Sequence, residues 1–150
     1  MPCHESLFQQ ETLFDRIARA VCRAGVLPRK ELFETWETAR RVRRVFRGGR
    51  VVDLACGHGL LAHIMLLLDD SSPKALADDL DFNRNTRRLS KIICDRWPRL
   101  KGRIEFTQSR IEDVAVDSRD LVVSVHACGG LTDTIIDRAA GAGARLAVLP

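Results

Sequence analysis

Val51-Val52-Asp53-Leu54-Ala55-Cys56-Gly57-His58-Gly59-Leu60 joins an apolar run to a turn of small residues, and a second apolar run, Leu60 to Leu68, follows. The first run reads as a buried strand and the longer second run as a helix. Strand, tight turn and helix in that order form the opening unit of a parallel α/β sheet. Glycines in such a turn let the backbone approach a ligand closely, and the new helix offers unpaired N–H groups. That build cradles a nucleotide-like ligand.

The residues of the turn narrow the ligand. A dinucleotide turn reads G-x-G-x-x-G, with a pyrophosphate on the helix N-terminus. Here the order is Asp-x-Ala-Cys-Gly-x-Gly, and residue 62 is Ala. A carboxylate at the strand end repels a pyrophosphate and suits a cationic ligand with an amino group. The tract resembles the first motif of the class I S-adenosylmethionine (SAM)-dependent methyltransferases, D-x-G-C-G-x-G. Ala55 departs from it, a change that a modest backbone adjustment accommodates. The resemblance implies an α/β fold with a doubly wound, Rossmann-like sheet, and SAM as cofactor. It also implies cofactor contacts from Asp53, Ala55, Cys56, Gly57, His58 and Gly59, His58 acting through its backbone. A nicotinamide-dependent oxidoreductase is disfavoured by the missing third glycine.

Farther along, Lys74 to Asp79 reads as strand two, apolar until its acidic end. Ligands of doubly wound sheets lie beyond the carboxyl ends of the strands. Asp79, followed by Leu80, is therefore the candidate for the ribose hydroxyls; Asp78 and Asp81 crowd it, and strand register decides. The alternative is three acids in a polar turn. Residues 83–97 read as a helix and Arg103 to Thr107 as strand three. The resemblance assigns the adenine to the next loop, at Ser109, Arg110 and Ile111, with Arg110 standing where relatives carry an acid.

Asp120 to His126 is strand four, a near-continuous apolar run. It leads into His126-Ala127-Cys128-Gly129-Gly130, where methyltransferases carry their acceptor-facing motif. The (Asp/Asn)-Pro-Pro-aromatic motif of many amino-group methylases is absent. The tract HACGGLTD is similar to a smaller branch with His-x-Cys-Gly followed by Thr-Asp, some members of which methylate tRNA ribose 2′-hydroxyls. His126 suits a general base near neutral pH, and the resemblance also sets it beside the cofactor; the alternative is local structure. Cys128 is a nucleophile if a neighbour lowers its pKa, and otherwise shapes the pocket. Gly129 stands beside the acceptor. Thr132 or its neighbour caps a last helix, and Arg145 to Leu149 is strand five. The β-α alternation gives the strand order 3-2-1-4-5. The family pattern continues past this point, so its C-terminal strands are missing from this sequence. The chain is then either a fragment or a minimal protein that borrows a pocket wall from a protein partner.

Residues 1–49 read as an N-terminal helical cap and 50–150 as the SAM-binding core, one domain overall. Leu7, Phe14, Ile17, Ala18 and Val21 make one stripe of a helix over 6–24. Gly25 and Pro28 separate it from a helix over 29–47, and Gly48-Gly49 ends that helix. Trp36, Arg40, Arg43 and Arg47 share a face of the second helix. Such a face can stack on and neutralise an RNA substrate; the alternative is a core tryptophan with arginine stems running past it. The charge is lopsided in the same sense, since 11 of the 24 Lys and Arg but only 6 of the 20 Asp and Glu precede residue 51.

Composition, 45% hydrophobic and 29% charged, fits a globular protein. No apolar run approaches the roughly 20 residues that span a bilayer. The N-terminus lacks a signal-peptide core, which makes the cytoplasm the expected location. Five cysteines without a CxxC pair predict reduced thiols, and four scattered histidines predict no metal site.

Overall fold

The computed structural model describes residues 3–125 and 127–149. Five strands form one sheet: β1 (Val51–Leu54), β2 (Ala75–Asp79), β3 (Ile104–Gln108), β4 (Leu121–Val125) and β5 (Arg145–Leu149). Their order is β3-β2-β1-β4-β5 and every pairing is parallel, as the sequence predicts. Parallel neighbours need a crossover, so helices cover both faces.

Period-two alternation divides the core. Val51, Ala75, Ala77, Leu121 and Val123 point into a cluster with α1 (Leu13–Ala24), α2 (Arg29–Val45), α3 (Leu60–Leu68) and α4 (Arg84–Arg96). Val52, Leu54, Leu76 and Val122 point the other way, onto Ile135 and Ala139 of α5 (Gly130–Ala142). Leu60 through Leu67 are all buried, because α2 lies on the outer side of α3 while the sheet lies on the inner. The N-terminal helices thus do more than sit over one end. α1 packs on α4 and α2 on α3, within the same apolar cluster as the sheet.

Local chemistry moves several boundaries. The first helix begins at Leu13, not residue 6. The Thr12 hydroxyl caps the helix by accepting the Asp15 N–H at 3.1 Å, and the Asp15 carboxylate accepts the Gln10 N–H at 2.8 Å, which together start the helix there. Leu7 therefore lies in a separate short turn, Glu5–Leu7, and is exposed. That turn folds the chain back over α1 and brings Cys3 and Cys22 to a Cα separation of 4.9 Å, where they form a disulfide. The expectation of five reduced thiols is thereby corrected. Thr132 is not a cap either: α5 starts at Gly130, and the Thr132 hydroxyl donates to the Ala127 carbonyl at 2.8 Å.

Two ion pairs join distant segments. Arg50, before β1, meets Asp120, before β4, at 2.7 Å. Arg43 of α2 is 4% exposed; its guanidinium donates to the Met65 carbonyl and the Ser72 hydroxyl and lies 3.3 Å from Asp69. Burial alone would raise the Asp69 carboxyl. The Ser71 hydroxyl, the Gly48 and Ser71 amides and the Arg43 charge outweigh it and hold the group at about 2.

Candidate functional site

Beyond the carboxyl ends of β1, β2 and β4, where strand order reverses, lies a cavity of about 750 Å³. Its floor is the turn after β1. Ala55 adopts φ +54°, the left-handed conformation its glycine counterpart would take without strain. An alanine thus holds this position in a conformation that favours glycine. Gly59 (φ +79°) cannot be replaced so easily, because a Cβ there would lie 2.9 Å from Cε1 of Phe106.

Asp53 ends up 1% exposed beneath this turn, its Oδ2 accepting the Ala62 N–H at 3.1 Å. Burial raises its carboxyl to about 8, with the nearby Asp79 charge adding to the rise. Asp79, at the tip of β2, accepts the Gly57 N–H at 2.7 Å through Oδ2 and the Leu80 N–H at 2.7 Å through Oδ1. Register pairs Leu54 with Asp78 and Asp78 with Thr107, which puts Asp78 inside the sheet and Asp79 at the rim. Asp78 Oδ1 accepts the hydroxyls of Thr107 (2.7 Å) and Ser109 (2.5 Å), while its buried Oδ2 has no partner. Burial pushes this carboxyl upward too.

The remaining sequence candidates divide. Cys56, His58, Leu80, Ser109, Arg110 and Ile111 line the same cavity. Burial pushes the Cys56 thiol far up, which keeps it protonated. The Ser109 N–H donates to the Asp79 carbonyl at 3.1 Å, tying the loop after β3 to the tip of β2. Arg110 lies 3.5 Å from Glu112, another lining residue. On the β4 side, Val125 and Leu131 line the cavity; Cys128 and Gly129 are exposed, and His126 lies outside the described residues.

The arginine face of α2 is corrected. Arg43 is turned inward to Asp69, and Arg40 is engaged by Glu37 at 2.9 Å on the same helix. Trp36 is half-buried with its ring 5.2 Å from that of Phe14, so it packs between α1 and α2. Arg47 remains largely exposed, 3.6 Å from Asp69. What α2 presents to the cavity is a different set, Glu31 and Thr35, joined by Leu27 from the preceding turn. The sequence signals none of these three as site residues, because nothing local says which helical face will meet the sheet end. Among the described residues no group of three His, Cys, Asp or Glu side chains is placed to hold a metal ion. Nor, among the described residues, is any helix long and apolar enough to cross a membrane.

The cavity can thus receive a ligand rich in hydrogen-bond donors and carrying positive charge. Three strand-end carboxyl groups, those of Asp53, Asp78 and Asp79, line it.

Comparison with known proteins agrees with this geometry. A family model described as a methyltransferase domain matches residues 31–149. Among solved structures, an O-methyltransferase family protein from Burkholderia thailandensis aligns with a TM-score of 0.60 at 22% identity, covering 94% of this chain and 44% of that one. A SAM-dependent methyltransferase from Thiobacillus denitrificans, in complex with S-adenosyl-L-homocysteine, gives 0.55 at 19%, covering 77% and 47%. A tRNA (uracil-54, C5)-methyltransferase from Pyrococcus abyssi, also with S-adenosyl-L-homocysteine, gives 0.53 at 15%, covering 74% and 26%. At these identities the likeness is one of fold, and the chain spans less than half the length of each of the three. No curated protein sequence matches the chain.

Proposed function

The chain belongs to the methyltransferase-domain family, and from that premise we propose that it binds SAM and takes part in methyl transfer. The observation that carries the reading is the convergence of Asp53, the Gly57–Gly59 turn and Asp79 on one cavity at the strand-order reversal. The donor set fits this cofactor. Asp53 faces its ammonium, Asp79 its ribose hydroxyls, and Ser109 to Ile111 with Leu80 its adenine; Ala55, Cys56 and His58 complete the floor. When bound, SAM supplies an electrophilic methyl on a sulfonium. The protein's part is to hold an acceptor in line with that bond and to exclude water. The acceptor enters beside residues 126–129, where His126 acts as general base and Cys128 and Gly129 shape the opening.

RNA is the acceptor class we put first. It is supported by the surplus of basic residues before residue 51 and by exposed Arg44 and Arg47 on α2 and at its end, with Arg43 removed from the argument. The other reading is a cofactor-fold module that interacts without catalysing. Calorimetric titration with SAM and S-adenosylhomocysteine, with NAD as control, separates them. Micromolar binding of both adenosyl ligands that is lost in Asp79→Ala supports the proposal. A folded chain that binds neither refutes it.

A further inference from the structure

His63 is a buried histidine that the cofactor reading leaves unused. It stands on the most apolar helix of the chain, with its ring 6.0 Å from that of Phe106. Its Nδ1 is 2.6 Å from the Gly59 carbonyl and its Nε2 is 2.9 Å from the Ser90 hydroxyl of α4. A carbonyl oxygen can only accept, so Nδ1 carries the proton. Burial pushes the imidazole down to about 4, so the ring is neutral at pH 7 and Nε2 is bare. Ser90 must then donate to Nε2, which leaves its oxygen to accept from the Cys94 thiol, 3.9 Å away. The chain of hydrogen bonds has a single consistent direction, from Cys94 through Ser90 and His63 to Gly59.

Its end point is the pivot of the cavity floor. Gly59 is the N-cap of α3, and the backbone bond that should anchor it, from the His63 N–H, is stretched to 3.4 Å. The imidazole is the shorter link to the same carbonyl. Gly57 and Ala62, on either side, give their N–H groups to Asp79 and Asp53. A Gly59 carbonyl that rotated would therefore disturb both carboxylates at once, together with the first-turn amides of Leu60 and Leu61, which have no intrahelical acceptor.

We propose that His63, set as the Nδ1–H tautomer by the Gly59 carbonyl and held at Nε2 by Ser90, is a positioning residue that fixes the Gly59 carbonyl and through it the floor of the ligand cavity. The effect on ligand affinity rests on the SAM reading; the effect on the turn does not. Two measurements on the free chain test the latter. Imidazole 15N NMR is expected to show the proton on Nδ1 at pH 7, and a proton on Nε2 overturns the inference. Amide exchange over Gly57 to Ala62 is expected to accelerate in His63→Phe and in Ser90→Ala, and to return toward wild type in His63→Asn, whose amide places a donor where Nδ1–H was. If His63→Phe does not fold, the comparison of Ser90→Ala with His63→Asn still decides. For affinity, His63→Phe is expected to weaken S-adenosylhomocysteine about tenfold, the equivalent of one lost hydrogen bond, with His63→Asn within threefold of wild type. Equal losses in Phe and Asn would reduce the residue to packing and overturn the proposal. A wild-type chain that binds no adenosyl ligand removes the SAM reading alone, and the tautomer and exchange results still judge His63.

Discussion

Burying Asp53 sets up a measurable conflict between stability and binding. Its carboxyl rises from 3.8 to about 8, so the folded chain holds this proton more tightly than the unfolded chain does. Stability from this group is therefore full below about pH 4 and falls as pH rises from there to about 8. At pH 7 the group is mostly protonated, and folding has forgone about 4 kcal/mol relative to a carboxyl free to ionise. An ammonium seated against Asp53 reverses the preference, so binding expels one proton below pH 8. Affinity for S-adenosylhomocysteine should rise about tenfold between pH 6 and pH 7, the limit of one proton per site. Calorimetry in two buffers of different ionisation enthalpy reads the proton release, and denaturant unfolding reads the stability. Asp53→Asn should flatten both pH dependences, stabilise the empty chain at pH 7 and weaken the ligand. An affinity that does not change from pH 6 to 7, or the same slope in Asp53→Asn, refutes the reasoning.

Other residues carry equally definite expectations. Gly59→Ala should destabilise more than Gly57→Ala, since both sit at positive φ (about 1–2 kcal/mol for a side chain there) but only residue 59 meets Phe106; equal denaturation midpoints would exclude the clash. Arg43→Ala should cost about 3 kcal/mol by leaving the buried Asp69 without its nearest guanidinium, whereas Arg40→Ala should stay within about 0.5 kcal/mol; similar unfolding curves for the two would return Arg43 to the surface. Asp69, held at about 2, contributes about 2 kcal/mol above pH 4 that disappears as pH falls toward 2. Acid unfolding of Asp69→Asn should show no such loss, and a profile like that of the unsubstituted chain would contradict its assignment.

The sequence alone determined the order of elements, the strand order 3-2-1-4-5 and the turn on which the site is built. Those features are written in local periodicity, in glycines at a strand end and in the regular alternation of strand and helix, each of which needs only neighbours in the chain. The turn holding Asp53, Gly57 and Gly59 and the acidic end of β2 were legible for the same reason. The tertiary structure decided what depends on partners far away in sequence. Register chose between Asp78 and Asp79, sending one carboxylate inward to Thr107 and Ser109 and leaving the other at the rim. The spacing puts Trp36, Arg40 and Arg43 on one face of α2. Its direction was set by Asp69 and Phe14, 26 and 22 positions away from Arg43 and Trp36 respectively. Cys3 and Cys22 became a pair only when a turn laid the N-terminus over α1. Glu31 and Thr35 entered the cavity wall because α2 settled on α3. A side chain's chemistry is local, but whether it faces water, a partner or a cavity is fixed by packing, and packing is the sum of contacts between segments that the linear sequence keeps apart.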